Sequence, residues 1–146
     1  MNISINLIKS IEENEMCEKY SVLMSVYCKE KAEYLRESIQ SIYNQTIPTD
    51  DFVLICDGPL TDELDKVIAE MQESFGSRLN VNRLEKNVGL GNALNVGIQL
   101  CKNELIARMD SDDISKSFRC EEQIAKFKEH PDVSIIGATI EEFERY

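Results

Sequence analysis

Residues 105–115 read Leu-Ile-Ala-Arg-Met-Asp-Ser-Asp-Asp-Ile-Ser, an apolar run of strand length that ends in three carboxylates within four residues. At this spacing Asp110, Asp112 and Asp113 repel one another, and alternation along an extended chain predicts that Asp110 and Asp112 lean to the same side. A divalent cation would relieve the repulsion, because Mg²⁺ and Mn²⁺ take oxygen ligands. The alternative is a solvated acidic turn that caps the next helix.

Apolar runs and helical patterns alternate along the rest of the chain. Residues 20–27 and 52–56 are nearly continuous apolar runs, typical of strands buried on both faces of a parallel sheet. Strands that alternate with helices predict an α/β fold, with a parallel, right-handed sheet and helices on both faces. Further strands are predicted at 79–84, 104–109 and 133–138, and helices at 31–43, 61–76, from 87–92 to about 101, and at 118–129.

The predicted strand ends place polar residues at one edge of this sheet. The first, second and fourth strands end at Tyr27, Asp57 and Asp110, and ligands of such sheets bind beyond the carboxyl ends of the strands. The glycine-rich segment 87–95 is not a dinucleotide fingerprint, because Leu94 stands where a glycine is required. Its two glycines at a helix start still allow a backbone to approach a ligand closely.

Composition excludes several classes of protein. A chain of 146 residues predicts one domain, and no apolar run approaches the length of a membrane-spanning helix. The formal charge of −11 disfavours nucleic acid and anionic membranes as partners, and an anionic ligand would need a metal ion or a helix N-terminus beside it. We therefore expect a soluble, cytoplasmic protein that does not bind nucleic acid.

Several kinds of site are also disfavoured. Five widely spaced cysteines lack zinc spacing and are expected to be reduced thiols, and an EF-hand loop does not fit Ile114 and Ser115. A single histidine and the absence of a serine elbow motif argue against a Ser-His-Asp hydrolase.

Residues 1–19 are predicted to be an N-terminal extension, with a short helical pattern at Ile5, Leu7, Ile8 and Ile11.

Four stretches of the chain form one ordered pattern. They are Ser-Val-Leu-Met-Ser-Val-Tyr-Cys-Lys-Glu (21–30), Leu-Ile-Cys-Asp-Gly-Pro-Leu-Thr (54–61), Arg-Leu-Glu-Lys-Asn-Val-Gly-Leu-Gly-Asn-Ala-Leu-Asn-Val-Gly (83–97) and Ala-Arg-Met-Asp-Ser-Asp-Asp-Ile-Ser (107–115). Their order and spacing are those of glycosyltransferase family 2, and the chain resembles the bacterial members that build capsular, extracellular or lipopolysaccharide sugar chains. The resemblance covers about residues 20–143 and implies a Rossmann-like GT-A domain that binds a nucleotide-diphosphate sugar with Mn²⁺ or Mg²⁺.

The resemblance implies a role for individual residues. Val26, Tyr27 and Glu30 match the loop that lines the nucleoside site. Asp57 matches the acid that hydrogen-bonds the base or the ribose. The segment that passes along the nucleotide contributes Lys86, Gly91 and Asn92.

The acidic stretch matches the Asp-x-Asp motif of the family. Asp110 would face the ribose or the donor sugar, Asp112 would hold the metal that bridges the two phosphates, and Asp113 would ligate or support it. The bound cation would neutralise the leaving diphosphate.

The resemblance also implies a second half that is absent from these 146 residues, carrying the acceptor site and the general base of an inverting enzyme. We therefore expect the donor-binding part of a longer glycosyltransferase that acts on a saccharide or lipid-linked acceptor, at the inner face of the membrane where the acceptor is lipid-linked. The fragment itself is expected to self-associate through an uncovered sheet edge.

Two alternatives stay open: a non-catalytic nucleotide-binding or interaction module, and a haloacid-dehalogenase-type phosphatase, in which the first Asp normally belongs to the first strand.

Overall fold

The structure, a computed structural model, describes residues 19–142. Except for Lys19, the predicted N-terminal extension and its helical pattern lie outside the described residues. No helix within 19–142 has the length and apolar character to cross a membrane. In chain order the elements are β1 (Tyr20–Val26), α1 (Ala32–Tyr43), β2 (Asp51–Cys56), α2 (Asp62–Phe75), a 3₁₀ helix (Gly76–Arg78), β3 (Leu79–Arg83), α3 (Leu90–Ile98), β4 (Leu105–Asp110) and α4 (Arg119–Glu129).

The four strands form one parallel sheet in the order β3-β2-β1-β4. The chain moves outward from β1 to β3 and then returns to place β4 on the other side of β1, so the strand order reverses between β1 and β4. At the carboxyl edge Val26 pairs with Cys56, and Ser25 pairs with Asp110. The predicted α/β sheet and the predicted convergence of strand ends are confirmed, and the crevice beside β1 and β4 is where such sheets bind ligands.

Helices cover both faces of the sheet, as predicted. Val22 and Met24 of β1 point into the larger core, which also contains apolar side chains of α1, α2 and α4. Leu23 points to the opposite face and packs with Ala93 of α3. Because β1 and β2 lie in the middle of the sheet, every side chain of β2 is buried, and after Asp51 its sequence is an uninterrupted apolar run.

Helix α2 shows how the local sequence sets the bounds of an element. Thr61 precedes it, and the Thr61 hydroxyl accepts a hydrogen bond from the Leu64 backbone N–H at 3.3 Å. Asp62 and Glu63 occupy the first turn, where the helix dipole favours negative charge. Gly76 ends the helix with a φ of +59°, a conformation that glycine adopts readily. Both predicted ends of this helix are therefore explained by capping.

Helix α3 lies unusually close to the sheet at Gly97. A Cβ at this position would stand 2.3 Å from Leu23 Cδ1 and 3.0 Å from Ile55 Cγ1. The absence of a side chain therefore allows this face of the helix to pack against β1 and β2.

The predicted fifth strand at 133–138 is wrong, since these residues form no strand. Ile135 is 86% exposed, and the segment is bonded by the Val133 backbone N–H to the His130 carbonyl at 3.1 Å and by Gln123 Nε2 to the Ile136 carbonyl at 3.4 Å. A groove of about 340 Å³ separates residues 134–136 from the free edge of β4. An apolar run becomes a strand only where a neighbouring strand can bond to it, and the groove keeps this segment away from β4.

No disulfide joins the cysteines of the described residues. Cys28 is exposed, Cys101 is half-buried, and Cys56 and Cys120 are buried, whereas Cys17 lies outside the described residues. Burial raises the pKa of the Cys56 thiol to about 11, because the desolvated thiolate is disfavoured. This thiol is therefore an unreactive part of the core.

Candidate functional site

An acidic turn, defined as residues 110–115, follows β4 at the reversal point of the sheet. The strand ends with Asp110, and the chain folds back at once, because the Asp113 backbone N–H donates to the Asp110 carbonyl at 3.4 Å. Strand alternation therefore does not extend beyond Asp110, and the shared direction of Asp110 and Asp112 stays a prediction. The turn instead brings the three carboxylates together at the strand tip.

The carboxylates of this turn have few internal partners. Asp110 Oδ1 accepts a bond from Arg108 Nη2 at 2.7 Å. Within residues 19–142, the carboxylates of Asp112 and Asp113 make no recorded hydrogen bond or ion pair. Partial burial, followed by repulsion from Asp112 and then Asp110, raises the pKa of Asp113. The site therefore holds more negative charge than its own donors compensate.

The residues fit a metal that is shared with a ligand better than a cage made by the protein alone. Among the described residues no group of three Asp, Glu, His or Cys side chains could hold an ion by itself. Mg²⁺ usually binds through one or two carboxylates and completes its coordination with waters and substrate phosphates. Asp110, Asp112 and Asp113 could supply such carboxylates, and the repulsion within the turn favours a cation there.

The loop after β1 contacts the acidic turn through Glu30. Glu30 Oε2 accepts a 2.6 Å bond from the buried Ser111 hydroxyl, and Glu30 Oε1 accepts a 2.8 Å bond from the Lys31 backbone N–H. Tyr27 is 45% exposed beside this loop, whereas the Val26 side chain lies in the core at 1% exposure. Only the backbone of Val26 therefore borders the edge, and the nucleoside contacts of these residues stay predictions.

Asp57 holds the segment that leads into α3. It is 4% exposed, and its two carboxylate oxygens accept separate backbone N–H bonds, from Val88 at 2.7 Å and from Gly89 at 3.1 Å. Its carbonyl accepts Asn87 Nδ2 at 3.2 Å. A contact from Asp57 to a base or ribose stays a prediction, and it would use the lone pairs that these bonds leave.

The neighbouring glycine allows residues 86–89 to cross the end of β2. Gly58 has a φ of +90°, and a Cβ there would lie 2.6 Å from the Asn87 backbone nitrogen and 3.0 Å from the Lys86 carbonyl carbon. The side chain of Lys86 is exposed. The structure therefore presents this segment at the same edge as Asp57.

The start of α3 carries the remaining predicted ligand-binding residues. Gly91 and Asn92 are exposed in the first turn of the helix, and Asn92 Nδ2 donates to the Val88 carbonyl at 2.9 Å. Gly89, immediately before the helix, has a φ of +85°. Exposed backbone and glycine together leave room for a ligand at this helix start.

Sequence reasoning missed three contacts that shape the edge. These are the bond from Ser111 to Glu30, the ion pair between Arg108 and Asp110 (2.7 Å), and the bond from Arg119 Nη2 to the Arg108 carbonyl (2.8 Å). Alternation along β4 gave a partial signal for the ion pair, because positions 108 and 110 share a face. The other two contacts join distant segments, so no local pattern reveals them.

Comparisons with known proteins agree with this geometry. The sequence model described as Glycosyl transferase family 2 matches residues 21–145. The amylovoran biosynthesis glycosyltransferase AmsE of Erwinia amylovora is 41% identical over 127 residues, which are 87% of this chain and 47% of that protein. The UDP-Gal:alpha-D-GlcNAc-diphosphoundecaprenol beta-1,3-galactosyltransferase of Escherichia coli is 42% identical over 128 residues, 86% of this chain and 45% of that protein. The chain therefore spans about half the length of these relatives.

A solved structure confirms the implied GT-A architecture. The S. aureus TarS 1-349 complex with UDP-GlcNAc superposes with a TM-score of 0.67 at 28% identity. The match covers 77% of this chain and 32% of the TarS chain. The four-stranded parallel sheet and its helices thus correspond to about a third of the TarS chain.

Proposed function

The chain belongs to glycosyl transferase family 2, and we propose that it forms the donor-binding part of an inverting, metal-dependent glycosyltransferase. The whole enzyme would transfer a sugar from a nucleotide diphosphate to a saccharide or lipid-linked acceptor in the synthesis of a bacterial surface polysaccharide. A lipid-linked acceptor would place it on the cytoplasmic face of the membrane. The names of the two bacterial relatives, one in amylovoran biosynthesis and one acting on a diphosphoundecaprenol-linked sugar, support this class of acceptor.

The observation that carries the proposal is the excess of negative charge in the acidic turn at the reversal point of the sheet. The carboxylates of Asp112 and Asp113 make no hydrogen bond within residues 19–142, and the attraction of Arg119 and Arg108 does not offset burial and repulsion at Asp113. Only β1 lies between the strand that carries the turn and β2, which leads to Asp57. A bound Mn²⁺ or Mg²⁺ would supply positive charge to the diphosphate as it leaves. In this arrangement Asp112 would hold the metal, Asp110 would face the ribose or the donor sugar, and Asp113 would ligate or support the metal.

The nucleoside would lie along the rest of the carboxyl edge. Tyr27 and Glu30 border it from β1, and Gly91 and Asn92 border it from the start of α3. Lys86 offers a positive charge toward the phosphates or the base. The TarS complex with UDP-GlcNAc supports a nucleotide sugar as the ligand class.

An inverting reaction also needs a carboxylate that takes the proton of the acceptor hydroxyl. Glu141 is exposed and forms an ion pair with Lys116 at 2.9 Å. The hydrogen bond from Lys116 lowers the pKa of Glu141, which makes its carboxylate a weaker proton acceptor. We propose that the base is supplied by a part of the enzyme outside these residues.

Calorimetric titration of the purified chain with UDP and with GDP, each with and without Mn²⁺, tests the donor site. We expect one nucleotide to bind only with metal and binding to be lost in Asp112→Ala. Asp51→Asn is the matched control, because Asp51 lies at the opposite edge of the sheet, and it should bind like the wild type. Failure to bind either nucleotide, or metal-dependent binding that survives Asp112→Ala, would contradict the assignment.

A further inference from the structure

Three polar side chains occupy buried positions on or next to α1. Ser38 and Ser41 lie on the helix and Gln45 just beyond its end, with exposures of 0%, 8% and 6%. Their spacing of three and four residues places them on the same side as the apolar residues Ile39 and Ile42. Polar groups at core positions cost free energy unless they are hydrogen-bonded, so their partners indicate what they do.

The two serines hold the two ends of the acidic turn. The Ser38 hydroxyl donates to the Asp110 carbonyl at 2.9 Å. The Ser41 hydroxyl accepts a bond from the Ser115 backbone N–H at 3.0 Å and donates to the Ser38 carbonyl at 2.7 Å. One helix therefore fixes the turn both where β4 ends and where the acidic residues end.

Gln45 extends this contact into the next helix. Its Nε2 donates to the Lys116 carbonyl at 2.8 Å and to the Ser115 hydroxyl at 3.2 Å. Its Oε1 accepts the Cys120 backbone N–H at 3.1 Å. The side chain of Gln45 thus provides hydrogen-bond partners for residues 115–120, which lead from the end of the acidic turn into α4.

We propose that Ser38, Ser41 and Gln45, here called the α1 clamp, are positioning residues that hold the acidic turn in its metal-binding arrangement before the donor arrives. The inference rests on the proposed function, because it assigns the reason for fixing this turn. Three mutually repelling carboxylates would spread apart on an unsupported loop. A turn already fixed by buried bonds loses less entropy when metal and diphosphate bind.

The chain offers a closely matched control serine. Ser21 is also buried, at 0% exposure, and its hydroxyl also donates once and accepts one backbone N–H, from Asn103 at 3.1 Å. It lies at the amino edge of the sheet, away from the turn. Ser41→Ala and Ser21→Ala therefore each remove a buried acceptor of one backbone N–H, and only the first touches the turn. Ser21→Ala also removes a donor to the Asp51 carboxylate, so it is the more severe test of general stability.

Amide hydrogen exchange of the metal-free chain tests the clamp without any ligand. We expect Ser41→Ala to speed exchange at the Ser115 amide by about tenfold or more, because its acceptor is removed. Ser21→Ala should leave that amide unchanged and affect Asn103. Unchanged protection of Ser115 in Ser41→Ala would overturn the clamp.

Titration of the same variants with Mn²⁺ and the nucleotide that binds the wild type tests its functional role. We expect metal-dependent affinity to fall about tenfold in Ser41→Ala and in Ser38→Ala, and to stay within about twofold of wild type in Ser21→Ala. Equal losses of affinity in all three variants would show that the α1 clamp affects binding only through the general stability of the fold, and would overturn its positioning role. Absence of binding in wild type would contradict the proposed donor site, while the exchange experiment would still decide whether the clamp holds the turn.

Discussion

At the amino edge of the sheet, Asp51 is 1% exposed, and its Oδ2 accepts the Ser21 hydroxyl at 2.6 Å and the Lys102 backbone N–H at 2.8 Å. At the carboxyl edge, the carboxylates of Asp112 and Asp113 make no hydrogen bond or ion pair within residues 19–142. The acids that join segments of the fold thus accept hydrogen bonds from the protein itself, whereas the carboxylates of Asp112 and Asp113 do not. The difference separates carboxylates that stabilise the protein from carboxylates that are available to a ligand.

Asp57 belongs to the first group although it lies at the second edge. Its two oxygens each accept one backbone N–H, whereas in Asp51 one oxygen accepts both bonds and Oδ1 has no hydrogen-bond partner. Lys102 Nζ lies 3.9 Å from that Oδ1. The role of an acidic residue therefore depends on the hydrogen-bond donors that surround its carboxylate, and not on the edge of the sheet at which it lies.

The largest effect on stability is expected at Gly58, the glycine that allows residues 86–89 to cross the carboxyl edge. Gly58→Ala should lower the free energy of unfolding by about 3 kcal/mol, because it adds a backbone clash to an unfavourable φ. Gly76→Ala, at a φ of +59° with no atom within 4 Å of the added Cβ, should cost about 1 kcal/mol. Urea denaturation of both variants measures the difference, and equal costs would show that the crossing is loosely packed.

A smaller effect should separate the two buried acids. Asp57→Asn must place an amide N–H₂ against a backbone N–H and should cost about 2 kcal/mol of stability. Asp51→Asn can keep its two bonds on one oxygen and should cost about 1 kcal/mol or less. Chemical denaturation at neutral pH tests this order. A larger loss for Asp51→Asn would break the distinction drawn from their oxygens.

The acids of the turn should behave in the opposite way. Asp112→Asn removes repulsion and no recorded bond, so stability should stay within about 0.5 kcal/mol of wild type. Its metal-dependent nucleotide binding should nevertheless be lost. Denaturation and calorimetry on the same preparation test both halves of this prediction. A marked loss of stability would mean that the carboxylate has a structural partner.

The smallest expected effect on stability comes from the protonation of the Asp113 carboxylate. Because its pKa is raised, the folded state holds this proton more tightly than the unfolded state does. The contribution of Asp113 to stability should therefore fall as the pH rises from the ordinary aspartate pKa through the raised one. Asp112→Asn should lower the Asp113 pKa in a carboxyl NMR titration, whereas Asp132→Asn, outside the turn, should leave it unchanged. No response to Asp112→Asn would argue against close approach within the turn.

The element order was predictable because each element carries its own periodic pattern. The continuous apolar runs of β1 and β2, and the capping of α2 by Thr61, gave the right strands and helices before any contact was known. Residues 133–138 show the limit of this reasoning, since an apolar run cannot tell whether a strand edge lies beside it.

The site was predictable in position and not in detail. Parallel strand ends had to meet, so Asp57 and Asp110 were expected at one edge, and the structure places them there. Which acid would be satisfied from within depends on loops far away in sequence, as with Val88 beside Asp57. Ser38 and Gln45 gave no signal, because polar residues in a helical pattern are usually read as exposed.

The pairing of β4 with β1 also has a consequence for how the protein folds. Strands β1, β2 and β3 are neighbours in sequence as well as in space, whereas Ser25 and Asp110 are 85 positions apart in the sequence. Closing so long a loop is slow relative to local pairing, so β4 is expected to dock late. The acidic turn and the α1 clamp then form together when β4 docks. A nascent or partly folded chain, in which β4 has not yet paired with β1, would therefore not gather the three carboxylates at the reversal point.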